Sequence, residues 1–213
     1  MRRQKLDSIN SNSKNYWFFS TIFLLASAII ILFRYPGYIF APRFWGEDAI
    51  YFETFFHADS WLGGFDAVIY PSYYQLLPRV GGFLATLVDL ESAPIMTTLV
   101  GFLTLMTPII IIFASDTDYW KTLKDKIVLS LVLIFSCSTA EIWLTSAALA
   151  SIVPVVSFLI LLDDNLSSRL KRLFYSFYIG VAALTGPVTL LMSPFFVLRY
   201  FYTKNKQYAI YCF

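Results

Sequence analysis

Apolar residues fill the chain in long runs, and short polar segments separate these runs. The first run, 16–33, has about 18 residues, enough at a rise of ~1.5 Å per residue to cross most of a ~30 Å hydrocarbon core. A second run covers 94–114 without interruption. Two longer runs, 127–162 and 173–202, each contain a polar or Gly-Pro interruption, which predicts two short helices joined by a tight turn.

The runs predict an all-α fold, a polytopic transmembrane helical bundle. A polar tail, 1–15, precedes the bundle and is expected to be disordered in the cytoplasm. Residues 16–213 form the predicted transmembrane domain, with spans at about 16–33, 94–114, 127–139, 143–162, 173–185 and 187–202. The last residues, 207–213, read like the start of another span, so we expect a fragment of a longer protein.

Residues 34–93 interrupt the apolar pattern with prolines, glycines and acids, and they predict an extramembrane loop that carries short interfacial helices. Within this loop, 72–90 is long enough for a tilted span. Pro78, Arg79 and the Gly81-Gly82 pair argue instead for a broken or surface-lying helix.

The distribution of positive charge favours one topology over the other. If 72–90 stays outside, 13 of the 16 Lys and Arg residues fall on the cytoplasmic side. If 72–90 spans, nine of them move to the other side. The sequence therefore predicts six crossings, a cytoplasmic N-terminus, and a loop 34–93 that faces the periplasm or cell exterior.

Composition supports the membrane class, since 58% of residues are hydrophobic and 14% are charged, against about 25% charged in soluble domains. The two cysteines, Cys137 and Cys212, predict neither a disulfide nor a metal site. The first run ends at Arg34-Tyr35-Pro36 rather than at a small-residue cleavage site, so we expect an uncleaved span. No pattern for binding nucleic acid is predicted.

Candidate chemistry gathers on the predicted outer side. The stretch 44–53 carries three acids just past the first span, Glu47, Asp48 and Glu53. Arg79 follows on the predicted surface helix. Glu141 lies at the polar middle of the run 127–162, where it would cost at least about 2.5–3.5 kcal/mol if it faced lipid at mid-membrane. A turn facing a polar cleft removes most of that cost, so these groups are expected to share one cavity.

Acids and a guanidinium in one cavity suit the transfer of a sugar from a lipid-linked phosphate. A carboxylate serves as the base for the acceptor hydroxyl, and nearby carboxylates stabilise an oxocarbenium-like sugar centre. A guanidinium matches the leaving phosphate in two-pronged fashion. The adjacent Glu47 and Asp48 are expected to titrate as a coupled pair.

Four segments resemble the GT-C class of polytopic glycosyltransferases, and more narrowly a bacterial group similar to phage- and island-encoded O-antigen glucosyltransferases. That group commonly reads W-A-E-D-G, then G-Y-x-x-x-x-P-R, N-x-x-W and S-G-P. The segments here, in order, are Trp45-Gly46-Glu47-Asp48, Tyr73 to Arg79, Glu141-Ile142-Trp143-Leu144, and Thr185-Gly186-Pro187 followed by Ser193-Pro194-Phe195-Phe196. Their order over about 35–200 carries more weight than any single motif.

The resemblance implies an enzyme of the bacterial inner membrane that takes a polyprenyl-phosphate-linked sugar and a cell-surface polysaccharide acceptor. Asp48 or Glu47 would be the catalytic base, and Arg79 would contact the donor phosphate. The predicted substrate-binding residues are Arg79, Glu141, Glu53 and Tyr74. This chain departs from the group at Gly46 and Ala49, which replace Ala and Gly, and at Glu141, where a neutral amide is common.

Other interpretations stay open. Glu47 and Asp48 also suit a solvated cap before an interfacial helix, Arg79 could extend to lipid headgroups, and Glu141 could pair with another helix. Glu53 and His57, four residues apart, suggest a divalent cation, although no third ligand is evident and no metal site is predicted. The rival functions are a polytopic transporter or flippase, with polar residues at mid-membrane, and a noncatalytic membrane subunit or inactive truncated product.

Overall fold

The computed structural model describes residues 2–69, 74–136, 143–146, 151–166 and 168–212, with side chains from residue 16 onward. This part of the chain is all-helical and contains no strand, which confirms the predicted class. The helices are α1 (Arg2–Phe33), α2 (Gly37–Phe40), α3 (Asp48–Phe56), α4 (Trp61–Asp66), α5 (Leu76–Ala85), α6 (Ala93–Ala114), α7 (Leu123–Ser136), α8 (Val153–Leu161), α9 (Arg169–Thr185), α10 (Pro187–Leu190), α11 (Ser193–Thr203) and α12 (Lys206–Ile210).

Two of these helices are long and apolar enough to cross a membrane. They are the second part of α1, Tyr16–Phe33, and α6, Ala93–Ala114, each with a mean hydropathy of 2.2. They differ in position, because α6 is largely enclosed by other helices whereas most of the apolar part of α1 lies at the surface. By length and composition, these two segments agree with the spans expected at 16–33 and 94–114.

Prolines mark the start of several helices. Proline fits the first turn, where its missing N–H would have no partner within the helix. It occupies that turn in α6, α8, α10 and α11. Gly186 separates α9 from α10, at the interruption predicted from Thr185-Gly186-Pro187.

Hydrogen bonds between segments that are far apart in the sequence define two ends of the molecule. At one end, Trp143 Nε1 donates to Ile31 O over 2.8 Å, and Arg34 Nη1 donates to Ile134 O over 2.6 Å. This end also carries α2–α5 and Asp48, and we call it the Asp48 end. At the other, which we call the Asp163 end, Lys126 Nζ donates to Phe113 O over 3.1 Å. Helices α1, α6, α7 and α8 run alternately between the two ends.

Two segments differ from their sequence-based predictions, and a third, 72–90, contains the short helix α5 where a broken or surface-lying helix was expected. The tail expected to be disordered is helical from Arg2, since an existing apolar helix extends at one hydrogen bond per residue fixed, without a new nucleus. In the segment expected to span 143–162, residues 143–146 form a turn and α8 begins only at Val153, next to Pro154. Pro78 does not break α5, because it lies in the first turn of that helix.

The buried core fills the space between the long helices. Ile109 and Ile112 of α6 and Ile160 of α8 are almost completely enclosed. A smaller cluster at the Asp48 end joins α3 to α5 and α6 through Phe52, Ala85 and Ala93. The four short helices α2–α5 therefore belong to the packed structure and do not form a detached loop.

Candidate functional site

The candidate site begins at a left-handed turn before α3. Gly46 has φ +49°, a conformation that glycine adopts without steric penalty. This turn places Glu47 at the N-cap and Asp48 in the first turn of α3. A negative charge in the first turn is favoured by the helix dipole. The two neighbouring acids then lie in different surroundings, because Glu47 is exposed whereas Asp48 is only 2% exposed.

The Asp48 carboxylate receives two hydrogen bonds from Ser146. The Ser146 hydroxyl donates to Oδ1 over 2.7 Å, and the Ser146 amide donates to Oδ2 over 3.3 Å. Ser146 is completely buried and lies 98 residues further along the chain. Such bonds to a charged acceptor are stronger than neutral ones, so the orientation of the carboxylate is fixed by a residue from a remote segment.

Ser146 belongs to a buried turn, 143–146, that is held on several sides. Trp143 anchors the turn to α1 through its indole bond. Leu144 has φ +55°, an uncommon conformation for a side-chain-bearing residue that concentrates at functional sites. The Leu144 carbonyl group presses against Gly101 of α6, where an added Cβ would come within 2.5 Å of it. Gly101 thus makes room for the turn that presents Ser146.

Two glycines of α5 allow close approach by the two segments that contain Asp48 and Ser146. A Cβ added at Gly81 would lie 2.9 Å from Ser146 Oγ. One added at Gly82 would lie 2.7 Å from the Tyr51 backbone carbonyl on α3. The Tyr51 hydroxyl donates to Gln75 Oε1 just before α5, and both side chains are buried. Helices α3 and α5 are therefore in close backbone contact beside Asp48.

Arg79 of α5 is buried, and its guanidinium donates hydrogen bonds to backbone carbonyl groups. Nη1 donates to Gly64 O over 3.1 Å and to Phe65 O over 2.9 Å, and Nη2 donates to Ala67 O over 2.7 Å. These oxygens lie at the C-terminal end of α4, where a cation is favoured by the helix dipole. To contact a donor phosphate as predicted, Arg79 would have to exchange some of these carbonyl groups for the ligand.

Tyr74 lies against Arg79, with the guanidinium carbon 4.4 Å from the ring centroid, a distance typical of a cation–π contact. Burial raises the pKa of the Tyr74 phenol, while the positive charge of Arg79 acts in the opposite direction. The phenol therefore stays protonated near neutral pH and keeps its hydrogen-bond donor.

The structure brings some of the predicted site residues together and separates others. Asp48 and Arg79 lie on the packed pair α3 and α5, and Tyr74 joins Arg79. Glu53, like Glu47, is exposed on α3, and His57 is exposed just after it. Glu141 lies outside the described residues. Within the described ranges, no group of three metal-ligating side chains is present.

Sequence reasoning did not assign a role to Ser146, Tyr51 or Gln75. Ser146 stands in a run that was predicted to be a continuous span, and a lone serine there gives no signal. The Gly81-Gly82 pair was a usable signal, because paired glycines in a helix indicate close backbone approach as well as a break. The sequence could not identify the approaching segment.

A second polar cluster occupies the Asp163 end, between the spans predicted at 143–162 and 173–185. Asp163 is completely buried and accepts hydrogen bonds from the amides of Asp116 and Asn165, both over 3.1 Å. Its Oδ2 accepts a hydrogen bond of 2.7 Å from the Tyr175 hydroxyl. The same oxygen forms an ion pair of 2.5 Å with Lys171 Nζ. The cluster ties the loops after α6 and α8 to α9.

The C-terminal part of the described chain joins this cluster. The Tyr208 hydroxyl donates to Asp163 O, and Arg199 forms an ion pair with Asp164. Asn205 caps α12 by accepting a bond of 3.0 Å from the Gln207 amide. Burial raises the pKa of Tyr211 to about 12. Tyr208 thus docks α12 onto the Asp163 end, and the buried Tyr211 ring lies 6.3 Å from the Tyr208 ring between centroids.

Comparison with known proteins gave no family: no family model matches the chain, and neither a curated protein nor a solved structure matches it.

Proposed function

We propose that this chain is a polytopic membrane protein of the GT-C type that transfers a sugar from a polyprenyl phosphate to a cell-surface polysaccharide on the non-cytosolic side of a bacterial inner membrane. The observation that carries the proposal is the buried Asp48 carboxylate. It lies in the segment after the first apolar helix, and Ser146 holds it in a fixed orientation. A carboxylate held in a fixed position can act as a general base for a hydroxyl group within hydrogen-bond reach.

The proposed membrane placement uses the two ends of the molecule. The Asp48 end faces outward and the Asp163 end faces the cytoplasm, with α1 and α6 as long crossings and with α7, α8, α9 and the pair α10–α11 as shorter ones. The basic segments at 121–126, 169–172 and 199–206 then fall on the cytoplasmic side, in agreement with the positive-inside rule. The Tyr16 hydroxyl, at the start of the first apolar run, bonds to Phe113 O at that same end.

In the proposed reaction, the acceptor hydroxyl oxygen attacks the anomeric carbon of the donor sugar. The bond between that carbon and the phosphate oxygen breaks, and its electron pair leaves with the phosphate. Asp48 accepts the hydroxyl proton, as carboxylates do in glycoside chemistry. Glu47, exposed at the N-cap of α3, is the alternative base.

Arg79 and Tyr74 complete the proposal on the α5 side. Arg79 fixes the carbonyl groups that follow α4 and places a positive charge near the end of the site where a phosphate would leave. The Tyr74 phenol remains a neutral donor beside it. Glu53 and Glu141 stay candidate contacts to the sugar.

The test replaces the two acids separately in the complete gene and scores polysaccharide modification. Asp48→Asn should abolish modification if Asp48 is the base, and Glu47→Gln should do so if Glu47 is. Asp59→Asn is the matched control, since Asp59 is an exposed acid of the same outer segment. Full modification in both Asp48→Asn and Glu47→Gln would overturn the proposal.

A further inference from the structure

Helix α4, Trp61–Asp66, is too short to be stable through its own sequence. It has six residues, whereas an isolated helix needs about 12–15 to form in water. Two of the six are glycines, Gly63 and Gly64, and glycine is among the least favourable residues in a helix. Contacts from outside α4 must therefore stabilise it.

Arg79 supplies such contacts at the C-terminal end of α4. The last carbonyl groups of a helix lack partners within it, and here Gly64 O, Phe65 O and Ala67 O accept hydrogen bonds from the guanidinium. On another side, the Phe55 ring lies so close to Gly64 that a Cβ there would come within 2.3 Å of it. A buried cation and an aromatic ring therefore hold α4 in place.

The same contacts enclose the guanidinium of Arg79. The residue is 3% exposed, and both of its terminal nitrogens donate to oxygens at the end of α4. Its Nε is also buried and has no hydrogen-bond partner among the described residues. A phosphate pairs strongly with a guanidinium because it bridges two neighbouring N–H groups. It reaches those of Arg79 only if the end of α4 moves away.

The charge on α4 also opposes an anion at Arg79. Asp66, the last residue of α4, is exposed. Burial raises the pKa of the Tyr74 phenol, and the charges of Arg79 and Asp66 act on that phenol in opposite directions. The Asp66 carboxylate is therefore within electrostatic range of the site, where it repels a second negative charge. Displacement of α4 removes this repulsion together with the competing carbonyl groups.

We propose that α4 covers Arg79 as a strap that a phosphate group displaces, so that phosphate binding and the folding of α4 exclude each other. The inference rests on the proposed function, which places the donor phosphate at Arg79. Coupling between two equilibria is reciprocal, so a more stable α4 must weaken phosphate binding. Trp61 and Phe65 of α4 line a surface cavity of about 580 Å³, and displacement of α4 would open this wall of the cavity.

Hydrogen exchange of the purified full-length protein, followed by mass spectrometry, measures the folding of α4. The amides of Gly64 and Ala67 report on it, because they donate to Ser60 O over 3.2 Å and to Gly63 O over 3.0 Å. Undecaprenyl phosphate and inorganic phosphate are the two probes, and they distinguish a lipid-borne phosphate from a free one.

We expect undecaprenyl phosphate to accelerate exchange at these amides about tenfold. Acceleration by inorganic phosphate as well would support the strap and show that the phosphate group alone displaces it. Unchanged or slower exchange with both probes would overturn the inference.

Arg79→Gln should release α4 without any ligand and accelerate its exchange about tenfold, because the hydrogen bonds from a charged donor are lost. Arg34→Gln is the matched control. Arg34 lies at the same end and also donates to a backbone carbonyl, but that carbonyl, Ile134 O, belongs to α7. The exchange of α4 should therefore not change in this variant. Equal exchange in Arg79→Gln and the original protein would contradict the strap.

Gly63→Ala tests the coupling in the opposite direction. A Cβ at Gly63 would meet nothing closer than Ser60 Oγ at 3.5 Å, and alanine favours a helix over glycine by up to about fivefold. Exchange of α4 should become slower, and binding of undecaprenyl phosphate, measured by native mass spectrometry, should weaken by up to about fivefold. Gly180→Ala, with open space around its Cβ, should change neither. Unchanged or tighter binding in Gly63→Ala would overturn the inference.

Failure of this inference is distinguishable from failure of the proposed function. If Asp48→Asn and Glu47→Gln both keep full polysaccharide modification while a phosphate probe still accelerates exchange in α4, the strap stands and the transferase fails. If the acid variants lose modification while neither probe accelerates exchange in α4, the transferase stands and the strap fails.

Discussion

Each end of the molecule contains a buried aspartate, and the two are held in different ways. The Asp163 carboxylate accepts hydrogen bonds from three residues and also forms an ion pair of 2.5 Å with Lys171. Asp48 receives both of its bonds described above from one neutral residue, Ser146. Removing one partner of a buried ion pair is strongly destabilising, because it leaves an uncompensated buried charge. The described bonds of Asp48 come from one remote turn, whereas those of Asp163 join the loops after α6 and α8 to α9, so Asp163 ties several segments together.

The largest effect is expected at the Asp163 end. Asp163→Asn leaves Lys171 without its buried partner, and the loss of one partner from a buried pair costs about 3–5 kcal/mol. Thermal unfolding of the purified protein in detergent should show this loss as a lower midpoint. Asp118→Asn is the control, because its ion pair with Lys121 has the same 2.5 Å separation but is exposed, and its midpoint should not move. Equal midpoints for Asp163→Asn and the original protein would remove the contrast between the two ends.

A smaller loss is expected from Gly82→Ala at the Asp48 end. The new Cβ would meet the Tyr51 backbone at 2.7 Å, and such overpacking typically costs about 1–3 kcal/mol. Gly180→Ala on α9 is the matched control, since nothing lies within 4 Å of its Cβ. There the higher helix propensity of alanine should stabilise by up to about 1 kcal/mol. Unfolding midpoints that shift in the same direction would show that α3 and α5 are not in close contact.

The Ser146→Ala variant distinguishes the orientation of the Asp48 carboxylate from the general stability of the fold. Loss of its hydrogen bond to Asp48 should cost about 1–2 kcal/mol, and the misplaced base should reduce polysaccharide modification by about 10- to 100-fold. Ser157→Ala provides the comparison, because Ser157 is equally buried but donates its hydrogen bond to Val153 O of its own helix. If Ser146→Ala and Ser157→Ala give similar levels of polysaccharide modification, Ser146 does not position the Asp48 carboxylate.

The smallest effect is a dependence on alkaline pH at the Asp163 end. Burial raises the pKa of Tyr211 to about 12 in the folded state, against about 10 in the unfolded chain. Between these values the folded protein keeps a proton that the unfolded chain has lost, so stability should fall as pH rises from about 10 to about 12. Tyr211→Phe should make the unfolding midpoint less sensitive to pH in this window and change it little near neutrality. An unaltered slope would indicate that burial does not raise the pKa of Tyr211.

The helical pattern was predictable where the apolar runs are long or punctuated by proline and glycine. The runs 16–33 and 94–114 and the interruption at Gly186 appear as predicted. The late start of α8 at Val153 was not predictable, because residues 143–146 lie in a largely apolar run and form a turn whose contacts are with the distant Ile31, Gly101 and Asp48. The pattern of apolar residues along a sequence indicates which positions are buried. A buried turn gives the same pattern as a short buried helix, so the pattern does not distinguish them.

The site was predictable in its residue types but not in its geometry. The acids before α3 and the Arg79 guanidinium were evident from their rarity in an apolar chain. That Glu47 is exposed while Asp48 is buried depends on how the left-handed turn at Gly46 directs α3. The hydrogen bonds from Arg79 to the carbonyl groups at the C-terminal end of α4 depend on where that helix ends.

By itself, the sequence determined that the protein is helical, where its longest apolar helices lie, and that acids follow the first of them while most basic residues lie elsewhere. These properties arise from local composition, which each segment carries with it. Only the tertiary structure decided that Ser146 orients Asp48 and that Lys171 and Tyr175 enclose Asp163. The reason is physical: the Asp48–Ser146 contact joins residues 98 positions apart, and no local preference encodes which distant donor reaches a buried carboxylate.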